Sequence, residues 1–259
     1  MIKVGIIGGS GLDDPKILKD FKEISVETKY GKPSSLLTTG KISGVDVVLL
    51  ARHGEGHTIY PTGVNFRANI AALKQSGCTH ILATTACGSL REEIKPGHLI
   101  FPDQFIDFTK HRTLTFHDSK VVHTSMAEPF CAGLRNILIK TAEKLNLQHH
   151  KKGTVITIEG PRFSTKAESN MFRGFNADII NMSTVPEVIL AREAGMCYQA
   201  IAMSTDYDCW KEGEEPVTWE MITERMKQNA DNVKKLLAAA IPEIKSEKCS
   251  CNESISEIL

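Results

Sequence analysis

Ile179-Ile180-Asn181-Met182-Ser183-Thr184-Val185-Pro186-Glu187 is the stretch on which the fold turns. Two isoleucines after Ala177-Asp178 end a buried strand, and polar residues follow at once. Thr184 with Glu187 three residues on matches a capping box, and Pro186 matches a first helical turn. The apolar run Val188-Ile189-Leu190-Ala191 continues that helix and Gly195 closes it. A strand that delivers hydroxyls and amide N–H groups to a helix start is a natural anion site. An ordinary strand-to-helix turn has the same signature, so the weight falls on whether other strands end alike.

They do. The strand Lys3-Val4-Gly5-Ile6-Ile7 runs into Gly8-Gly9-Ser10-Gly11, glycines that allow close approach to a phosphate. A third glycine at dinucleotide spacing is missing. Residues 24–30, 35–42 and 45–51 have strand patterns, with Ser43-Gly44 as a turn, and the last ends in Arg52-His53-Gly54. Arg52 fits a phosphate clamp or, equally, a solvated loop charge. Asn65 caps a helix that Gly77 ends, and a strand over 79–86 finishes Thr84-Thr85-Ala86-Cys87-Gly88-Ser89. A short strand over 99–102 precedes a polar loop, 107–122, holding His111 and His117, with His123 just beyond. Their spacing suits no metal, so a surface loop or lid is expected. Pro129 opens a helix to about residue 145. The strand over 154–158 ends Glu159-Gly160-Pro161-Arg162-Phe163, and Thr165 with Glu168 forms a second capping box. The strand over 197–204 ends Thr205-Asp206-Tyr207-Asp208, and Thr218 caps a long amphipathic helix to about Ala240.

Strands alternating with helices, without repeats or linkers, predict one α/β domain with a central mixed sheet flanked by helices. That domain is expected over 1–245, with a C-terminal tail over 246–259, mobile or packed on a neighbouring subunit. Ligands in such folds lie beyond the strand carboxyl ends, where the Gly, Ser, Thr, Arg, His and Asp residues gather. Lysine plus arginine and aspartate plus glutamate both number 31, so no net field favours nucleic acid or a membrane surface. No apolar run reaches membrane-spanning length and Met1-Ile2-Lys3-Val4 enters a strand directly, so a soluble, cytoplasmic protein is expected. The seven cysteines are scattered without metal-ligand spacing, and no metal is expected. Cys78, Cys87, Cys131, Cys197 and Cys209 fit a core role. Cys249-Ser250-Cys251 fits a redox-active pair or a strained disulfide, which in a cytosolic protein suits a hyperthermophile.

Taken together, the segments from Gly5 to Leu12, Leu50-Ala51-Arg52-His53-Gly54, Thr84 to Ser89, Ile158 to Phe163, Asn181-Met182-Ser183, Met126 to Cys131 and Asp206 to Trp210 resemble the purine nucleoside phosphorylase superfamily, from Lys3 to about Pro242. The resemblance is greatest to members that cleave S-methyl-5′-thioadenosine to adenine and 5-methylthioribose-1-phosphate. It implies a nucleoside phosphorylase-like fold, phosphate as co-substrate, no cofactor, and a homo-oligomer, either a trimer or a dimer of trimers. It assigns phosphate to Ser10, Arg52, His53, Thr85, the Ala86 amide and Ser183. Asp206 would protonate N7, Asp208 would take the exocyclic amine, and Phe163, Asn181 and Met182 would hold purine and ribose. His57, Val217, Trp219 and Ile222 would wall the 5′ group, and His123 would reach a neighbour's site. The nearest alternative is a 6-oxopurine phosphorylase, usually with Asn at the place of Asp206. A nicotinamide-dependent dehydrogenase built on Gly8 to Gly11 and a non-catalytic nucleoside binder are the others.

Overall fold

The computed structural model describes residues 2–8, 17–213, 218–245 and 249–253; Ser10 and Val217 lie outside them. Its frame is a mixed sheet of eleven described strands. The central ones are β1 (Lys3–Gly8), β4 (Val45–Ala51), β5 (His80–Ser89) and β11 (Cys197–Asp206). β1 runs parallel to β4 and β5, and β5 parallel to β11. All ten residues of β11 are buried, as expected for a parallel strand covered on both faces. The order continues on one side through β3 (Leu37–Ile42) to β2 (Lys19–Ile24). On the other it runs through β10 (Ile179–Asn181) and β9 (Thr154–Ile158) to β7 (Gln104–Phe108). The short β6 (Leu99–Ile100) and β8 (His149–His150) extend from β11.

Helices cover both faces. α1 (Phe66–Gln75) and α4 (Thr184–Glu193) bury Ile70, Leu73, Val188 and Leu190 in one cluster. α2 (Ala132–Lys144) and α5 (Trp219–Ala240) bury Leu134, Leu138, Val233, Leu236 and Leu237 in another. Full burial of such a side chain stabilises the fold by about 1.5–3 kcal/mol, more than any propensity difference along the helix short of proline. α3 (Lys166–Gly174) puts Phe172 into a third cluster with Leu90 and Ile156. The expected caps hold at Asn65, Thr165 with Glu168, and Thr218, each accepting a backbone N–H of its helix.

Four expectations are corrected. The first edge strand is 19–24, not 24–30: Lys-Asp-Phe-Lys-Glu is exposed throughout and lacks alternation, as suits a charged edge. Val26 and Tyr30 pack on the core without joining the ladder. The helix expected from Pro129 begins at Ala132, with Cys131 before it. Thr184 and Glu187 form no capping box. Val185 is extended inside the helix start, the Thr184 hydroxyl accepts from Asn181, and Glu187 faces inward to Arg52. The supposed loop from 107 starts as the end of β7, paired with β9. Its apolar side chains divide: Phe108 meets Phe172 and Phe116 meets Tyr30, while Leu114 and Val121 stay exposed. Glu159 ties the following strap down, accepting from Thr62 Oγ1, the Lys110 and His111 amides and Arg112. Burial opposes ionisation there, yet those donors hold its carboxyl down at about 2. The described part of the tail packs on this chain: Cys251 is buried in the α2/α5 layer. No described helix is long and apolar enough to cross a membrane.

Candidate active site

The site originates in a gap in the ladder of β5. β11 occupies one edge of β5 from His80 to Gly88. On the other edge β1 pairs with His80 to Ala83, and antiparallel β10 pairs with Gly88 and Ser89. Between them, 84–87 have no strand partner on that edge among the described residues. Backbone groups there must find partners outside the sheet, and an anion is a suitable acceptor for an amide. Because β10 runs against β5, its end brings Asn181 back to this gap. Asn181 Nδ2 donates to Thr85 Oγ1 (3.2 Å) and Thr184 Oγ1 (2.7 Å), and Asn181 Oδ1 accepts from Thr157 Oγ1 (2.9 Å). Thr85 Oγ1 lies 2.9 Å from Ser183 Oγ. Two hydroxyls expected at the phosphate position are thus set side by side by a buried amide. Thr157, which escaped the sequence reading, and Thr184, read there as a helix cap, fix that amide.

Arg52 enters from the end of β4, buried to 2 % exposure. Its Nε and Nη2 donate to Glu187 Oε2 (2.7 Å) and Oε1 (2.8 Å), and Nη1 donates to the Thr84 carbonyl (2.8 Å). The Tyr198 hydroxyl donates to Glu187 Oε1 (2.7 Å). Neither the solvated-charge reading nor a phosphate clamp alone describes Arg52: three of its five N–H donors hold protein. Glu187 carries the signal that sequence reading passed over, an acid heading an apolar helix run, which once buried requires a cationic partner. His53 Nδ1 bonds the Ile59 carbonyl (2.9 Å). Burial, and then the Arg52 charge, hold its ring down at about 4. The ring is therefore neutral near pH 7, with Nδ1 as donor and Nε2 as acceptor.

At the end of β11, Asp206 is 7 % exposed. Burial pushes its carboxyl up to about 6, against the pull of Thr205 and the Asp208 amide. Oδ1 accepts from the Asp208 N–H (2.7 Å), and Oδ2 lies 2.6 Å from Thr205 Oγ1, which also faces the Cys87 carbonyl at 3.2 Å. The Thr205 hydroxyl has one proton for two acceptors. A proton on Asp206 Oδ2 resolves this, since Asp206 then donates to Thr205 and Thr205 to Cys87. Burial raises the Asp208 carboxyl as well. Asp208 takes φ 51° and His57 φ 59°, left-handed conformations that cost most side chains energy and concentrate at functional sites.

These groups share one cavity of about 490 Å³. It brings together Arg52, His53, Thr85, Ala86, Asn181, Met182 and Ser183 with Asp206, Asp208 and the walls Phe163, His57, Trp219 and Ile222. His57 stacks on His53 (4.4 Å between centroids) and meets Trp219 at 4.9 Å. His123 is exposed on the strap and does not line it. Gly88 is a further member: a Cβ there would sit 3.0 Å from Asp206 Oδ1 and 3.1 Å from Ile180. Gly88→Ala is expected to displace the carboxylate at an overpacking cost of about 1–3 kcal/mol. Turnover should fall at least tenfold with KM for phosphate little changed, checked by steady-state kinetics against each substrate.

Hydroxyl, amide and guanidinium donors at a break in an α/β sheet, sharing one cavity with a buried, protonatable carboxyl, are the equipment of an enzyme that attacks a bond with phosphate. The chain belongs to the phosphorylase superfamily, whose family model matches residues 3–242. It is 60 % identical over 250 residues to S-methyl-5′-thioadenosine phosphorylase of Xenopus tropicalis, covering 94 % of this chain and 89 % of that one. It is 52 % identical to the enzyme of the same name from Thermofilum pendens, over 100 % of this chain and 98 % of the other. Among solved structures, a mutant adenosine/methylthioadenosine phosphorylase of Schistosoma mansoni in complex with methylthioadenosine superposes with a TM-score of 0.91. That match has 44 % identity and covers 96 % of this chain and 93 % of the other.

Proposed function

We propose that this protein cleaves S-methyl-5′-thioadenosine with inorganic phosphate, releasing adenine and 5-methylthioribose-1-phosphate. The observation that carries the reading is one cavity lined both by the donors at the β5 gap and by the raised Asp206 carboxyl. Phosphate attacks the anomeric carbon as the base departs, through a transition state with oxocarbenium character. An enzyme for this step must hold an anion beside a developing sugar cation and protonate the leaving base. Thr85, Ser183, the Ala86 amide and the remaining N–H groups of Arg52 supply the anion end, with Ser10 assigned there by resemblance. His53, neutral with Nε2 as acceptor, accepts a hydrogen bond from a phosphate O–H instead of donating one. Met182 lies under the ribose, Phe163 stacks on the purine, Asp206 protonates N7 and Asp208 accepts from the amine. Phosphate is a co-substrate and no cofactor is needed.

The test is release of free base from methylthioadenosine, adenosine and inosine, with and without phosphate. Adenine appearing without phosphate, or none appearing at all, would overturn the reading, and a clear preference for inosine would move the chain to the 6-oxopurine class. Trp219, half exposed beside His57, is assigned to the methylthio wall with Val217 and Ile222. Trp219→Ala should cost about 1–3 kcal/mol in kcat/KM for methylthioadenosine, and much less for adenosine, whose 5′ group is polar. Equal losses on both would remove Trp219 from that wall. His123 is assigned to a neighbouring subunit's sugar pocket in a homo-oligomer; sedimentation showing a fully active monomer would refute this.

A further inference from the structure

Cys131, just before α2, Cys197, which opens β11, and Cys249 and Cys251 of the tail converge although far apart in sequence. Their four Sγ atoms all lie within 4.8 Å of one another. Cys131 and Cys249 are 3.8 Å apart, and all seven cysteines of the chain are present as thiols. We propose that Cys131, Cys197, Cys249 and Cys251 form a four-thiolate site for one soft divalent metal ion of the zinc type, which fastens the C-terminal segment to the sheet.

Zinc bound by four thiolates at about 2.3 Å forms a tetrahedron whose edges are about 3.8 Å, which matches the separation seen. Three of the four residues are buried and none touches the nucleoside cavity. Thiols are weak donors and acceptors, so four together gain little from one another. A dication bound by all four as thiolates supplies the partner they lack in one another. The Leu134 N–H bonded to Cys131 Sγ, in the first turn of α2, is the kind of outer support that metal thiolates carry. The tail also requires such a fastening, because Ser250–Glu253 is one short 3-10 turn that cannot sustain itself in water. The sequence hid the site because its ligands come from three separate places, and only Cys249-Ser250-Cys251 shows any clustering.

The full-length protein, purified without chelator under reducing, anaerobic conditions, should contain about one zinc per chain by elemental analysis. Metal-depleted protein titrated with Co²⁺ should saturate at one ion per chain. Sulfur-to-cobalt charge transfer and the intense visible bands of tetrahedral Co²⁺ should then appear. The double variant Cys249→Ser, Cys251→Ser should lose that spectrum and retain under a tenth of the metal, while Cys78→Ala keeps both. Phosphorolysis by the double variant at moderate temperature should be unchanged, since neither residue lines the cavity. A peptide map of freshly purified, unreduced protein showing the four cysteines joined as disulfides would overturn the proposal. So would a reduced protein that gives no tetrahedral Co²⁺ spectrum.

Discussion

Asp206→Asn is expected to lower turnover of methylthioadenosine by roughly 10²–10⁴, the scale of losing a positioned acid. Inosine cleavage should fall far less, and rise if the new amide meets its carbonyl. The substitution is nearly isosteric and keeps the local bonds. An amide oxygen still accepts from the Asp208 N–H, and the amide NH₂ donates to Thr205 Oγ1, freeing that hydroxyl for the Cys87 carbonyl. What the amide lacks is a proton to release. A carboxylate accepts from the 6-amine of adenine but repels the 6-carbonyl of hypoxanthine, so the proposed pair of acids is expected to set the choice of base as well. The sign of the pH dependence follows from burial. With the carboxyl raised to about 6, the acid form is lost above that pH. Wild-type kcat/KM should therefore decline through a limb near pH 6, and the variant should lack that limb. If the ratio of kcat/KM for methylthioadenosine to inosine stays constant while both fall, Asp206 only caps the turn that Asp208 N–H closes.

The legible parts of this fold were those where one residue's local chemistry suffices. Asn65, Thr165 and Thr218 each cap a helix with their own side chain, and a cap is written within four residues. The apolar runs of β1, β4 and β11 are continuous because helices cover both faces. The strand ends, rich in glycine and hydroxyls, pointed to the cavity because strand carboxyl ends converge there. What the sequence hid depends on distant partners. Thr184 and Glu187 have the spacing of a capping box, but a buried arginine from β4 outbids the helix's own amides for Glu187. The edge strand 19–24 shows no alternation because Lys19 to Glu23 are exposed whichever face they occupy, and Ile24 at its end reaches the core. Phe108 and Phe116, in the stretch read as a polar loop, pack inward because Phe172 and Tyr30 of the same chain receive them. The position of Thr85 is settled by Asn181, nearly a hundred residues later.

Arg52→Ala and Glu187→Gln should weaken the fold together and phosphate use in opposite directions. Removing either partner of a buried ion pair costs about 3–5 kcal/mol, because the other charge is left desolvated. For a chain of this size that corresponds to a melting temperature lower by roughly 6–20 °C. Arg52→Ala strands Glu187, 0 % exposed, with the Tyr198 hydroxyl as its one remaining partner among those described. It also removes a cation and a fork of donors from the anion end. kcat/KM for phosphate should drop by a further 2–4 kcal/mol, about thirty- to a thousand-fold, and arsenate, of the same shape and charge, should suffer equally. Glu187→Gln keeps the guanidinium, which cannot shed its proton, and cancels the charge that neutralises it. Among the described residues Arg52 then has no carboxylate partner, so the apparent affinity for phosphate should hold or rise while the apoprotein melts earlier. Ligand binding stabilises by RT ln(1 + [L]/Kd), so added phosphate should raise the melting temperature of Glu187→Gln more than that of wild type. In Arg52→Ala the same addition should achieve little. If phosphate protects both variants equally, Arg52 serves the core alone, and the anion must be held by the hydroxyls and amide of the β5 gap without it.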